Sequence, residues 1–142
     1  MMHLATRDDQ SAAMGIAHAA IMSMPDQEHQ LEWADEFVAR VPDFIEDGCL
    51  WVIDGVAIVV REEHWVEAVF VHPKVQRQGI GRAIAKMLVE QGRAEGLDYL
   101  EGHANPTALS FYNDLGLKDL GPEQVTSPTG IPFTAHRVRM DL

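Results

Sequence analysis

Apolar positions along the chain fall into runs of two periods, and the switches between those periods predict its elements. Residues 2–6 read as a short edge strand. From about residue 9 to 24, Ala13, Ile16, Ala17, Ala20, Ile21 and Met24 recur at three- and four-residue intervals. That is the spacing of a helix with one buried face. Pro25-Asp26 breaks the pattern. Leu31, Ala34, Phe37, Val38 and Val41 make the stripe of a second helix over about 27–41. Pro42 is expected to end it, because proline has no N–H to donate and clashes with the preceding turn. Two β-rich runs, 50–54 and 56–61, flank Asp54-Gly55, a pair suited to a two-residue hairpin turn. A turn near Glu62-Glu63 leads to a third strand over 65–71.

The helical period returns over 81–95, where Ile84, Met87, Leu88 and Gln91 or Ala94 trace one face and Gly96 is a C-terminal stop. Residues 99–103 read as a strand. Asn105 then caps a helix with Pro106 at its first position. Ala108, Phe111, Tyr112 and Leu115 form its stripe, and Gly116 ends it. Runs 118–126 and 133–142 read as a final antiparallel pair, linked by Ser127-Pro128-Thr129-Gly130. The order β-α-α-β-β-β-α-β-α-β-β predicts an α/β chain of the mixed α+β kind, with helices on the faces of a mixed sheet.

Composition narrows the reading. The 142 residues, 46% hydrophobic and 23% charged, fit a single domain over 1–142 with a proper core. The run 11–24 is broken by His18 and too short to cross a bilayer, so no membrane is expected. The first residues lack the basic-then-apolar order of a secretory signal. One cysteine, Cys49, cannot close an internal disulfide and reads as a buried thiol in a reducing, cytoplasmic setting. The net charge of −11 argues against nucleic acid as partner. The charge is uneven, however. Between 74 and 93 lie Lys74, Arg77, Arg82, Lys86 and Arg93 against Glu90, five of the 11 basic residues with one acid. A basic segment on an acidic protein suits an anionic ligand.

That segment holds the most chemical stretch of the chain. A strand ending in Val69-Phe70-Val71 runs through a short loop into Gln76-Arg77-Gln78-Gly79-Ile80-Gly81-Arg82, where a helix begins. Two glycines remove Cβ atoms that would hold a phosphate away, and the helix start offers backbone N–H groups and a dipole. A strand that gives way to a loop also leaves main-chain groups for an amide-rich ligand. A dinucleotide site is the weaker alternative. Its pattern asks for a small residue at 84, which is Ile, and a tighter strand-to-helix turn.

Gln76-x-x-Gly79-x-Gly81 with its preceding strand, followed by Asn105-Pro106-x-Ala108-x-x-Phe111-Tyr112-x-x-x-Gly116-Leu117, resembles the two signatures of the GNAT acyl-CoA-dependent N-acetyltransferase superfamily. The element order also matches. The resemblance implies a mostly antiparallel central sheet with helices on both faces, acetyl-CoA as cosubstrate, and transfer of its acetyl group to a primary amine by direct attack on the thioester. It implies that Val69, Phe70 and Val71 bond the pantetheine arm through their backbone. Gln76, Arg77, Gln78, Gly79, Ile80, Gly81 and Arg82 would hold the pyrophosphate, Asn105 the cofactor arm, and Tyr112 would protonate the departing sulfur.

The reaction needs an amine freed of its proton, a stabilised oxyanion and a leaving thiolate. An alkyl ammonium has a pKa of about 10.4, so deprotonation is a real cost. Backbone N–H at or beside Val69 is expected to polarise the carbonyl. Glu67 alternates with Trp65, Val69 and Val71 on one strand face and is the first candidate base, with burial or a relay water needed to make a carboxylate of ordinary pKa adequate. Glu101 and water are the alternatives, and His64, His72 and His103 lie nearby in sequence without a motif position. Trp33, Phe37 and Trp65 are candidate acceptor-pocket walls, and Glu28, Glu32, Asp35 and Glu36 could attract a cation. No histidine or cysteine spacing suits a metal. An exposed strand of the last hairpin could pair in a homodimer. A rival function is an acyl-CoA-binding sensor or interaction module without catalysis.

Overall fold

The protein is described here from a computed structural model covering residues 1–24, 29–127 and 130–142. Helix α1 is Gln10–Met22 and α2 is Gln30–Glu46. Strands β1 (Met2–Leu4), β2 (Leu50–Ile53), β3 (Ala57–Glu62) and β4 (Trp65–Val71) precede α3 (Ile80–Ala94). Strand β5 (Tyr99–Ala104), helix α4 (Leu109–Asp114), β6 (Lys118–Thr126) and β7 (Pro132–Asp141) complete the chain. The hydrogen-bonded strand order is β1-β2-β3-β4-β5-β7-β6. Pairs β1–β2, β2–β3, β5–β7 and β6–β7 are antiparallel and β4–β5 is parallel, so the sheet is mixed and mostly antiparallel.

The chain forms two compact units: Met1–Arg61 with Ala68–Gly81, and Glu62–Glu67 with Arg82–Leu142. In the first, α1 and α2 pack together through Ala13, Ile16, Ala17, Ala20 and Ile21 on one side and Ala34, Phe37, Val41 and Phe44 on the other. Strand β3 is buried at every position from Ala57 to Arg61, the pattern of a strand covered on both faces. Phe70 closes this core against the edges of Phe37, with ring centroids 4.9 Å apart, and Trp33, at 6.2 Å. Edge-to-face pairs of this kind add roughly 0.5–1.5 kcal/mol beyond their buried area. Cys49 is buried, its Sγ donating to the Phe44 carbonyl at 3.5 Å.

Helix α2 runs through Pro42 to Glu46, past the expected stop. Proline cannot donate to the Val38 carbonyl, but Val41 and Phe44 on either side are buried in the core, and that packing carries the helix across the defect. Leu31, expected in the stripe, is exposed. The expected start of α2 at Gln27, the break at Pro25-Asp26, and Pro128-Thr129 of the last turn lie outside the described residues.

In the second unit, Ile84, Leu88 and Gly92 form the buried stripe of α3, with Leu100, Ala104, Ala135 and Val138 buried on the strands. Gly92 stands in that stripe where Gln91 or Ala94 was expected. A Cβ there would lie 2.6 Å from Cδ1 of Leu142, the far end of that side chain. The second-motif helix begins as a 3-10 turn, Pro106–Ala108, and α4 proper has six residues, none of them buried.

Candidate active site

Asp54 and Gly55, with φ of 50° and 70°, turn β2 back into β3, which sets the meander that ends in β4. The parallel register of β4 with β5 covers Trp65↔Glu101 and Val66↔Gly102, while β4 itself continues to Val71. Among the described residues, that ladder takes up no backbone group of Val69, Phe70 or Val71.

Past Val71 the loop is built from its own side chains. His72 N–H donates to the Val56 carbonyl at 2.8 Å, and His72 Nδ1 accepts from Lys74 N–H at 3.1 Å. Gln76 Nε2 donates to the Val71 carbonyl at 3.1 Å, tying the turn back to the strand end. Arg77 and Gly79 then take positive φ, 65° and 80°. Alternation of this kind points successive N–H groups to one side, the form of an anion-binding nest. Arg77 is not a glycine, and its left-handed backbone costs on the order of 1 kcal/mol, a strain of the kind found at ligand sites. A Cβ on Gly79 would meet nothing within 4 Å, so the space over the turn is open. Ile80 opens α3 immediately afterwards. The turn therefore fits a diphosphate. In the second unit, Arg82, Lys86 and Arg93 line a groove of about 330 Å³ shared with Val89, Leu115 and Met140.

The candidate proton-transfer groups also lie in the second unit. Glu67 is exposed, and Trp65 Nε1 donates to its Oε2 at 2.9 Å. Tyr112 on α4 is half-buried, its ring 5.7 Å from Phe111, and burial pushes its hydroxyl above the usual phenol pKa. It stays protonated at neutral pH and can serve as an acid. Asn105 is half-buried, and its carbonyl accepts from Ala108 N–H at 2.8 Å.

Glu101 has another occupation. It is buried at 8% exposure, receives Arg137 Nε at 2.9 Å and Nη2 at 2.8 Å, and lies 3.5 Å from Arg139 Nη1. Both of its oxygens meet guanidiniums, so this alternative to Glu67 as base anchors an ion-pair network. Hydrogen bonding to Glu101 in turn raises Arg137 above the usual guanidinium value. Arg137 lies over the Trp65 ring at 5.4 Å and Arg139 over Tyr99 at 3.9 Å. Glu123, which sequence reading passed over, joins this network through Arg137 and His103. It is 20 residues from His103, and only the β5–β7–β6 register unites them.

Of the expected acceptor walls, Phe37 is core and Trp33 packs on Phe70. Trp65 meets His103 edge-on, with centroids 4.9 Å apart. Glu32 and Asp35 are exposed on α2 and Glu36 is half-buried, whereas Glu28 lies outside the described residues. Among the described residues no helix is long and apolar enough to cross a membrane, and no cluster of three or more potential metal ligands occurs.

A family model described as an acetyltransferase (GNAT) domain matches residues 37–140. The chain is 34% identical over 97 residues to the peptidyl-lysine N-acetyltransferase YjaB of Salmonella typhimurium, a match spanning 63% of this chain and 64% of that relative's length. A GCN5-related N-acetyltransferase from Rhodopseudomonas palustris superposes with a TM-score of 0.85 at 17% identity, covering 100% of this chain and 95% of that one. The PaiA N-acetyltransferase of Thermoplasma acidophilum, solved in complex with coenzyme A, gives a TM-score of 0.68 at 10% identity over 100% and 98% of the two chains. The two structures share the fold. The family model covers well over half the sequence, including both motifs, and on it the chain belongs to the GNAT acetyltransferase family.

Proposed function

We propose that this protein moves an acetyl group from acetyl-CoA to the side-chain amine of a peptidyl lysine, by direct attack of the amine on the thioester. The observation that carries the reading is the Gln76–Gly81 turn: a strained Arg77, a Gly79 with open space above it, and a helix starting at once. Family membership and the coenzyme A complex of the PaiA relative support the cosubstrate, and the YjaB relative supports the acceptor. The acidic surface favours a cationic acceptor.

In this reading the backbone of Val69, Phe70 and Val71 bonds the pantetheine arm as an added strand. Gln76, Arg77, Gln78, Gly79, Ile80, Gly81 and Arg82 cradle the diphosphate, with Asn105 on the arm. Backbone N–H at Val69 polarises the thioester carbonyl, which becomes an oxyanion when nitrogen attacks. Glu67, on the acceptor side, draws the ammonium in and holds the water through which its proton leaves. Tyr112 gives its hydroxyl proton to the departing sulfur. The buried thiol of Cys49 agrees with work in the reducing cytoplasm. An edge pairing through β6, where Leu120 is exposed, is the route by which two copies would form a homodimer.

The test is thiol release from acetyl-CoA with three acceptors: a lysine peptide with a blocked N-terminus, a peptide with a free N-terminal alanine and no lysine, and spermidine. Turnover fastest on the lysine peptide supports the proposal. Turnover confined to another acceptor overturns the lysine assignment. Acetyl-CoA binding without thiol release from any of them makes the protein a binding module instead.

A further inference from the structure

The second unit contains a histidine–carboxylate pair to which no part of the proposed mechanism gives a role. His103 is on β5, the strand that ends one residue before Asn105, and alternation puts it on the same sheet face as Glu101. Its Nε2 is 3.0 Å from Oε2 of Glu123 on β6. Glu123 is fixed at its other oxygen by Arg137 Nη1 at 3.5 Å, and Arg137 is itself clamped on buried Glu101. The edge of Trp65 packs against the His103 ring, and the same indole donates to Glu67. One tryptophan thus touches both Glu67 and His103. His103 keeps 25% of its side chain exposed, and among the described residues its Nδ1 makes no hydrogen bond.

We propose that His103, oriented by Glu123, is the group that takes the proton from the incoming amine, at Nδ1. This deepens the acetyltransfer reading and rests on it. Glu123 accepts the Nε2 proton, which fixes the neutral ring in one tautomer and leaves the Nδ1 lone pair as a proton acceptor. An imidazole has a reference pKa of about 6.5 against about 4.3 for a glutamate, so it is much the better base toward an ammonium near neutrality. Glu123 from β6 contacts the ring, Arg137 from β7 contacts Glu123 and Glu101 of β5, and Glu67 of β4 is bonded to Trp65, whose ring meets that of His103.

The step balances. The ammonium gives one proton to Nδ1, directly or through the water at Glu67, and the imidazolium later returns it to solvent. The neutral nitrogen forms the C–N bond. As the C–S bond breaks, sulfur leaves with the electron pair and takes the Tyr112 proton, and the second nitrogen proton restores Tyr112 through solvent.

Two measurements test the assignment. The first needs no acceptor: long-range ¹H–¹⁵N spectra at about pH 8, with the His103 signals identified by their loss in His103→Gln. The Nε2–H tautomer is expected, and the Nδ1–H tautomer would overturn the proposal. The second is the pH profile of thiol release with the blocked lysine peptide. His103→Gln is expected to lower kcat by about 10²-fold and to remove the acid limb of the profile. Glu123→Gln should lower kcat about tenfold, because the ring loses the partner that orients it. A His103→Gln enzyme that keeps the limb, or loses less than about threefold in kcat, would overturn the assignment. Acetyl-CoA should still raise the melting temperature of both variants. Failure of that shift in the wild type is a failure of the cosubstrate reading, separate from the dyad, on which the tautomer then decides.

Discussion

Single atoms decide much at Gly102. A Cβ there would lie 2.7 Å from the Val66 carbonyl oxygen, a backbone atom held in the β4–β5 ladder. Gly102→Ala is expected to cost about 1–3 kcal/mol, because the strands must part to admit it. Gly92→Ala also makes a close contact, 2.6 Å, but with the far end of the Leu142 side chain. That end can swing away, and alanine gains helix propensity, so this variant should be within about 1 kcal/mol of wild type. Urea unfolding of the two checks the difference. For Tyr112, removal of the hydroxyl in Tyr112→Phe should lower kcat at least tenfold and leave the acetyl-CoA Kd within about twofold, if its role is confined to the leaving group. Unchanged kcat would remove it as the acid. The motif residues were legible in the sequence because glycines, Asn105-Pro106 and Tyr112 act through local geometry. The occupation of Glu101 was not, because Arg137 and Arg139 lie 36 and 38 residues away and meet it only through the β5–β7 register.

Most elements were legible in the sequence because period, caps and turn residues agree. The strand over 65–71 and the strand over 118–126 come out residue for residue, each bounded by turn chemistry. The stop expected at Pro42 rests on local propensity, which the buried Val41 and Phe44 overrule in α2. Exposed Pro42 therefore remains a defect that can be relieved. Pro42→Ala should restore a donor to the Val38 carbonyl and stabilise the protein by about 1 kcal/mol, part of the ~3 kcal/mol that an interior proline costs a helix. A fall in the urea midpoint would show that the proline is needed there. The β6–β7 hairpin has its own pH dependence. Asp119 Oδ1 accepts from Gly121 N–H at 2.8 Å and lies 3.0 Å from His136 Nδ1, and these contacts hold its carboxyl below the usual range. A carboxyl with a folded pKa below its unfolded value contributes stability above about pH 3.9, and that contribution is lost as pH falls through the folded pKa. Urea midpoints taken from pH 6 downward should therefore drop more steeply below about pH 4 for wild type than for Asp119→Asn. Parallel curves would contradict the assignment.

Over the whole chain, the contrast that matters is a net charge of −11 with a basic stretch from Lys74 to Arg93. The nest at Arg77 and Gly79 belongs to the first unit, and Arg82, Lys86 and Arg93 line a groove in the second. A basic stretch on an acidic protein draws an anionic cosubstrate. The family and the element order were legible in the sequence, because both motifs and the alternation of periods are local features. The central claim is that the turn after β4 holds the diphosphate of acetyl-CoA, and the melting temperature of the full chain against acetyl-CoA concentration tests it most directly. The account predicts a shift that grows with the logarithm of concentration, reaching about 2.7 kcal/mol of added stability at a hundredfold excess over Kd. A melting temperature unmoved at about 1 mM acetyl-CoA would contradict it.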